Sequence, residues 1–302
     1  MKIAVINSSY PTYNLGAAKI QAYWEQAGHK VYSAPRGDMF AAECDKAFLS
    51  AIFTWNLPKL VQDINNLRNM NPEIEIEVGG PAPTGMPQYI IDNTGITPFK
   101  GIDPRFEHVE GNYRCTFTSR GCPRNCGFCL VPTLEGRRIV EYDSFVIPQG
   151  SNPFVCDNNI LSTSWQHQEM VVEKLRQVRN LDINSGFDDR IFSHNPNKYF
   201  DLYSQLKLEG WRFAYDKPEQ REEIKFCANF LHDKGIDYRH ITVFCLIGDD
   251  GQTYEECQEK LQYLIDIGTS PYPQRYRPLN SLTRRYSPLG WEPGALETLF
   301  QY

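Results

Sequence analysis

The chain has 302 residues, of which 41% are apolar and 23% charged, and its formal net charge is -6. These proportions are typical of a globular protein with one large or two modest domains. The negative charge, without a run of Lys or Arg, disfavours a nucleic-acid partner, because phosphate binding requires a basic patch. No apolar stretch approaches the roughly 20 residues that span a bilayer, and the start of the chain lacks a signal-peptide pattern. The sequence therefore predicts a cytoplasmic protein without a membrane partner.

The first hundred residues alternate between strand and helix patterns. The predicted strands are Lys2–Asn7, Lys30–Ser33, Phe48–Thr54 and Glu73–Val78, and the predicted helices are Gly16–Ala27 and Lys59–Met70. Such alternation predicts an α/β fold, and we expect a small, doubly wound, Rossmann-like domain over residues 1–95. The segment 96–111 is rich in Gly, Pro and charge, which predicts a linker.

Six further strand patterns follow, and most of them precede a helix pattern. The strands are Tyr113–Ser119, Pro153–Asp157, Leu181–Asn184, Trp211–Tyr215, Ile241–Ile247 and Tyr276–Leu279, and the helices are Trp165–Val178, Tyr199–Leu208, Arg221–His232 and Tyr254–Ile267. Six repeats predict an open partial barrel over residues 112–290, because a closed barrel of this kind has eight. The tail, 291–302, is excluded from the fold, because its stretch Leu296–Gln301 resembles a viral 3C-type protease recognition sequence.

Three cysteines lie close together after the first of these six strands. Cys122, Cys126 and Cys129 are separated by three and then two residues. Thiolates suit zinc or iron-sulfur clusters, and a site completed by protein alone normally uses four ligands. The run therefore predicts a metal site with one open position. The remaining cysteines are scattered among apolar neighbours and are predicted to be reduced core residues: Cys44, Cys115, Cys156, Cys227, Cys245 and Cys257.

This spacing, with an aromatic residue before the last cysteine, resembles the signature of the radical S-adenosylmethionine (radical SAM) superfamily. The resemblance covers roughly residues 112–280. It implies a (β/α)6 partial TIM barrel and a [4Fe-4S] cluster whose open iron binds S-adenosyl-L-methionine (SAM). It also implies an enzyme that cleaves SAM reductively and abstracts a hydrogen atom from a small polar substrate. A lyase-type outcome is favoured, with mutase and dehydrogenation outcomes open, and the implied electron donor is a flavodoxin or ferredoxin.

The resemblance also implies roles for residues at the strand ends. The implied SAM-binding residues are Phe128 and Ile247 for adenine, Asp157, Asn158 and Asn159 for the amino group, Arg190 for the carboxylate, and Tyr215 and Asp216 for the ribose. Ser185, at the end of the third strand, is a further implied SAM-binding residue. The implied substrate-binding residues are Arg275, Tyr276 and Arg277. Each group has a plain structural alternative, namely core packing, a turn or helix cap, or a surface ion pair.

Two alternatives remain open from the sequence. The stretches Glu25-Gln-Ala-Gly-His-Lys-Val and Glu77-Val-Gly-Gly-Pro-Ala-Pro-Thr resemble the cobalamin-binding domain that precedes many radical SAM cores. Its Asp-x-His-x-x-Gly motif is missing, and the early His29 is followed by Lys-Val-Tyr, so the resemblance implies a degenerate domain that has lost its cobalt ligand. One alternative is nevertheless a cobalamin-dependent radical SAM methyltransferase or ring-forming enzyme. The other is a non-catalytic iron-sulfur or zinc-binding module.

Overall fold

The computed structural model describes residues 1–249, 251–292 and 294–301. The chain forms two compact units. The first comprises Met1–Tyr113, Arg124–Arg137 and Pro278–Arg284, and the second comprises Arg114–Pro123, Arg138–Arg277 and Arg285–Tyr302. Each unit contains parallel β-strands and α-helices, which confirms the predicted α/β class.

The first unit is built on four parallel strands. They are β1 (Lys2–Asn7), β2 (Lys30–Ala34), β3 (Lys46–Ser50) and β4 (Glu75–Gly79), in the order β2-β1-β3-β4. The central strand β1 carries an unbroken apolar run, Ile3 to Ile6, and all four of these residues are buried. Continuous apolar runs are typical of parallel strands that are covered on both faces. The alternation of strands and helices predicted for this part of the sequence is therefore present in the structure.

Seven helices accompany these strands. They are α1 (Leu15–Gln26), α2 (Met39–Ala42), α3 (Leu57–Met70), α4 (Pro81–Gly85), α5 (Pro87–Thr94), α6 (Pro104–Glu107) and α7 (Val131–Leu134). Helix α1 begins after Asn14, whose side chain accepts a hydrogen bond of 3.1 Å from Ala17 N. The segment predicted as a linker contains α6, where the buried Phe106 ring packs edge-on against Phe48 at 5.8 Å. That segment thus contributes to the core of the first unit.

The described residues of the second unit contain nine strands. They are β5 (Cys115–Thr116), β6 (Ser119–Arg120), β7 (Val140–Glu141), β8 (Phe154–Val155), β9 (Arg179–Ile183), β10 (Lys207–Leu208), β11 (Trp211–Ala214), β12 (Ile241–Ile247) and β13 (Ser270–Arg275). Two parallel sheets have the orders β10-β9-β8-β5 and β11-β12-β13, and β6 pairs antiparallel with β7. Backbone hydrogen bonds from Phe187 N to Arg212 O (2.7 Å) and from Glu209 N to Leu181 O (2.9 Å) connect the two parallel sheets.

The helices of this unit are α8 (Trp165–Leu175), α9 (Asp189–His194), α10 (Pro196–Tyr203), α11 (Arg221–Asp233), α12 (Tyr254–Asp266) and α13 (Ala295–Thr298). The tail that the sequence analysis excluded contributes to the core, because Leu296 and Leu299 are buried with residues of β12 and α12. That exclusion was wrong, since these two leucines, three residues apart, share one buried face. Among the described residues, no helix is both long enough and apolar enough to cross a membrane.

The last predicted strand was misplaced. The sequence predicted Tyr276–Leu279, whereas β13 ends at Arg275 and pairs in parallel with β12. Pro271 and Pro273 within β13 argued against a strand, because proline cannot donate a backbone hydrogen bond. The structure tolerates them because β13 lies at the edge of its sheet, and residues two apart turn their nitrogens to the same side.

A substitution at Gly80 tests the close packing of the chain after β4. Its φ is +104°, and an added Cβ would lie 2.7 Å from Ala51 O and 2.8 Å from Ser50 Oγ. We expect Gly80→Ala to lower the free energy of unfolding by about 1–2 kcal/mol for the backbone conformation and a further 1–3 kcal/mol for overpacking. Gly28→Ala is the control, because Gly28 has a similar φ of +80° and no atom within 4 Å. Equal losses for the two variants in urea denaturation would contradict the packing described here.

Candidate functional site

Polar residues follow the parallel strands of the second unit, at the point where each strand ends. Thr118 and Ser119 come after β5, and Asp157 comes directly after β8 and Cys156. Asp188 and Asp189 follow β9. The carboxyl ends of parallel strands meet at one edge of a sheet, where α/β folds bind ligands. This edge is therefore the candidate site.

Asp157 is the most heavily bonded of these residues. Its side chain is 1% exposed, and Oδ1 accepts a hydrogen bond of 2.6 Å from Thr118 N. Oδ2 accepts from Thr118 Oγ1 at 2.5 Å and from Ser119 Oγ at 2.7 Å. Burial raises the pKa of Asp157, and the bonds from Thr118 and Ser119 oppose that increase. Both oxygens of this predicted SAM ligand are thus engaged by its own chain.

His167 completes this buried group. Its Nε2 lies 3.0 Å from Thr118 Oγ1. Because Thr118 donates its one hydroxyl hydrogen to the Asp157 carboxylate, Oγ1 accepts a hydrogen bond from His167 Nε2–H. Burial lowers the pKa of His167, which favours the neutral ring. The assigned state is therefore a neutral imidazole that donates from Nε2 to Thr118.

The segment from Thr118 to Arg120 is also held on its other side. Strand β6 pairs with β7 through Ser119 and Glu141, and Tyr142 N donates to Thr118 O at 2.9 Å. Glu141 in turn accepts a hydrogen bond from Ser164 N and one of 2.8 Å from Ser164 Oγ. Sequence reasoning missed Thr118, His167 and Glu141, because their contacts join segments that are distant in the chain.

A second cluster lies at the ends of β8 and β9. Asn159 Nδ2 donates to Asp188 Oδ2 at 2.8 Å, and Gln220 Nε2 donates to Asp189 Oδ1 at 3.0 Å. Within the described part of the chain, Asn159 Oδ1 and Asp189 Oδ2 are buried and have no hydrogen-bond partner. Unpaired buried acceptors are costly, so they indicate a missing donor. Burial and the charge of Asp188 raise the pKa of Asp189 to about 6.

Arg190 lies beside this cluster. Its Nε donates to Asp188 Oδ1 at 3.2 Å, and its side chain is 42% exposed. A guanidinium in this position can pair with a carboxylate while Asp188 fixes its orientation. Ser185 is exposed and Asn158 is half-buried at the ends of the same two strands. The structure therefore brings five of the predicted SAM-binding residues to this edge: Asp157, Asn158, Asn159, Ser185 and Arg190.

Two predicted ribose contacts lie further along the edge. Tyr215 packs against the Tyr263 ring at 6.1 Å and below the Lys260 ammonium at 5.6 Å, both on α12, so it faces the helix layer. Burial raises the pKa of Tyr215, which keeps the phenol protonated. Asp216 Oδ1 accepts from Leu246 N at 3.2 Å, and the Lys260 ammonium donates to Asp216 O at the same distance.

The remaining predicted residues have simpler surroundings. Ile247 is fully buried at the end of β12, and Phe128 is half-buried. Arg275 Nη2 forms an ion pair of 2.7 Å with Glu297. The Tyr276 ring meets Tyr286 edge-on at 5.6 Å, and Arg277 is half-buried. Arg275 is therefore ion-paired within the chain. The ion pair that was the structural alternative for Arg190 is present as its contact with Asp188.

The three cysteines of the motif differ from the core cysteines in exposure. All nine cysteines lie in the described residues and none forms a disulfide, while Cys122, Cys126 and Cys129 are partly exposed. By contrast, burial raises the pKa of Cys245 to about 12, which suppresses its thiolate. The donor chemistry of the motif thus fits an iron-sulfur cluster or zinc.

The motif spans the division of the chain into its two units. Cys122 belongs to the second unit, and Cys126 and Cys129 belong to the first, where Cys129 N donates to Cys126 O at 3.0 Å. Among residues 1–249, 251–292 and 294–301, no three His, Cys, Asp or Glu side chains are already arranged to hold one metal ion. The features of the motif that favour a metal are therefore the spacing, the exposure and the donor chemistry of its three cysteines.

Buried polar side chains bond to one another at the carboxyl edge of the first unit's sheet. Ser8 Oγ donates to Asp63 Oδ2 at 3.1 Å, and Asn14 Nδ2 donates to Ser50 Oγ at 3.0 Å. These groups therefore have partners within the chain. His29 precedes β2, so it lies at the opposite edge, where its ring packs against Trp24 at 5.1 Å.

A scan of protein-family models and a search of curated proteins gave no match to this chain. The functional argument therefore depends on the cysteine motif and on the geometry of the strand ends. The buried carboxyl of Asp189 is the part of that geometry that can be tested without any cofactor.

Asp189 should make stability depend on pH. Its folded-state pKa of about 6 exceeds its ordinary value of 3.8, so the folded state binds the proton more tightly than the unfolded state. The contribution of this group to the free energy of unfolding is fully present below about pH 4, and it is lost as the pH rises through about 6. We expect Asp189→Asn, which cannot ionise, to exceed the wild type by up to about 3 kcal/mol at neutral pH and by little near pH 4. Urea denaturation across this range measures the difference, and a pH-independent difference would contradict the assignment.

Proposed function

We propose that this protein is a radical SAM enzyme that holds a [4Fe-4S] cluster through Cys122, Cys126 and Cys129. The observation that carries the proposal is the setting of these thiols. They are partly exposed, spaced by three and two residues, and follow the first parallel strand of the second unit. Three thiolates at such a spacing suit a cluster with one open iron.

The strand arrangement of the second unit supports this proposal. Parallel pairing runs from β5 through β8 to β9 and from β11 through β12 to β13, and backbone hydrogen bonds connect the two series. Taken as one series, these are the six β/α repeats expected of a (β/α)6 partial barrel. The first unit would then be the accompanying Rossmann-like domain.

The polar strand ends suit the methionine part of SAM. When bound, the cluster and SAM supply a one-electron cleavage that yields a 5'-deoxyadenosyl radical for hydrogen abstraction. Asn159 Oδ1 and Asp189 Oδ2 would accept hydrogen bonds from the ammonium group, and Arg190 would pair with the carboxylate. An ionised Asp189 beside an ammonium is favourable, which explains why an unpaired carboxyl is retained in a buried position.

The other contacts of the cofactor follow the same edge. Phe128 and Ile247 are the proposed adenine contacts, and Asp216 is the proposed ribose contact through Oδ2. The substrate is proposed to be a small polar molecule in a lyase-type reaction, with a flavodoxin or ferredoxin as electron donor. The cobalamin-dependent enzyme is the second candidate, and it is less favoured because the sequence lacks the Asp-x-His-x-x-Gly motif.

Reconstitution tests this proposal. Anaerobic treatment with iron and sulfide should give the absorption of a [4Fe-4S] cluster, and dithionite with SAM should then release 5'-deoxyadenosine. Alanine at Cys122, Cys126 or Cys129 should abolish both signals, because three ligands are the minimum for the site. Elemental analysis and chromatography of the nucleoside are the measurements.

Cys245→Ala is the matched control, because Cys245 is fully buried in the core and distant in sequence from the motif. It should retain the cluster and the 5'-deoxyadenosine signal. Zinc in place of iron in the purified protein, with no 5'-deoxyadenosine formed, would favour the non-catalytic binding module.

A further inference from the structure

We infer that Asp157 is a positioning residue that fixes the segment leading to Cys122, and that it does not contact SAM. This inference rests on the proposed function, because it gives the fixed segment its purpose. It differs from the role that the sequence resemblance implied for Asp157, which was binding of the amino group of SAM.

The bonds of Asp157 are all directed to the end of β5. Three hydrogen bonds, from Thr118 N, Thr118 Oγ1 and Ser119 Oγ, occupy both carboxylate oxygens at 2.5–2.7 Å. Thr118 and Ser119 are themselves fully buried. Three of the roughly four acceptor positions of this buried carboxylate are therefore occupied by donors of its own chain. Asn159, two residues further on, has the unpaired oxygen that a ligand would use.

An ionised carboxylate only accepts hydrogen bonds, whereas a hydroxyl or an amide also donates them. It therefore fixes the rotation of both hydroxyl groups and the position of one peptide N–H together. His167 holds Thr118 Oγ1 from the opposite side at 3.0 Å, so the threonine side chain has one arrangement. A charged group would not be buried here for stability alone, because an apolar core would serve as well.

The fixed segment ends at Arg120, two residues before Cys122. Strand β6 leaves Ser119 and Arg120 paired with β7, and Gly121 then turns with a φ of +82°. Groups that orient metal ligands usually contribute strongly to metal affinity, typically 10–100-fold in mutational series. Asp157 therefore acts on cluster binding through Thr118 and Ser119.

The first experiment uses the metal-free protein. Each motif cysteine is labelled with iodoacetamide under reducing conditions, and the rate at each position is measured by mass spectrometry. In Asp157→Asn, we expect the Cys122 rate to rise about tenfold, because the amide cannot accept from all three donors and the segment is released. Cys126 and Cys129 should keep their rates and serve as internal references.

Two other variants make the result specific. Thr118→Val keeps the shape of Thr118 but removes the hydroxyl bonded to Asp157 and His167, so it should also raise the Cys122 rate. Asp182→Asn is the matched control, because Asp182 is a half-buried carboxylate on β9 that pairs with Arg212 and has no bond to the segment. It should leave all three rates unchanged even where it lowers the thermal stability.

The second experiment measures cluster binding. The affinity for iron is measured as the iron retained per chain in competition with a chelator. It should fall about 10–100-fold in Asp157→Asn and Thr118→Val, and stay at the wild-type level in Asp182→Asn. Wild-type alkylation and iron affinity in a folded Asp157→Asn would overturn the inference. If Asp157→Asn fails to fold, the same reading applies to Thr118→Val. Failure of the wild type to take up iron would refute the proposed function, while the alkylation rates would still decide whether Asp157 positions the segment.

Discussion

Parallel pairing of the strands in the second unit is the constraint on which the other features depend. A strand such as β12, apolar from Ile241 to Ile247, is stable only when both faces are covered, and parallel neighbours with helices supply that cover. Parallel alignment then places the carboxyl ends of these neighbouring strands at the same edge. Polar residues that follow separate strands, such as Ser119, Asp157 and Asp189, are brought together at that edge without any contact encoded locally.

Two buried carboxyl groups at this edge illustrate different uses of an unfavourable charge. Asp157 has three donors on its two oxygens, which offset part of the cost of its burial. Asp189 has one donor and one buried oxygen without a partner in the described structure, and its pKa is raised to about 6. A carboxylate whose oxygens are both hydrogen-bonded holds its neighbours in place, whereas a carboxylate with an unpaired buried oxygen is a candidate ligand-binding group. This difference separates the positioning residue from the binding residues.

Much of the fold could be predicted, because apolar periodicity follows from burial. The bounds of β1 and β12 matched their apolar runs, and α3 began two residues before the predicted helix. Strand β13 was misplaced because its prolines are tolerated only at a sheet edge, which the sequence does not reveal. In the candidate site, the predicted end of the strand Pro153–Asp157 indicated Asp157 and Asn159. The partners Thr118 and His167 could not be found, because register and helix docking bring them together.

The central claim is that three thiolates hold a four-iron cluster with one open iron. Mössbauer spectroscopy of the protein reconstituted with isotopically enriched iron tests it most directly, because the four irons report separately on their ligands. The account predicts that one iron in four differs from the other three, and that its signal changes when SAM is added. A spectrum without a cluster, or four irons that do not respond to SAM, would contradict the account.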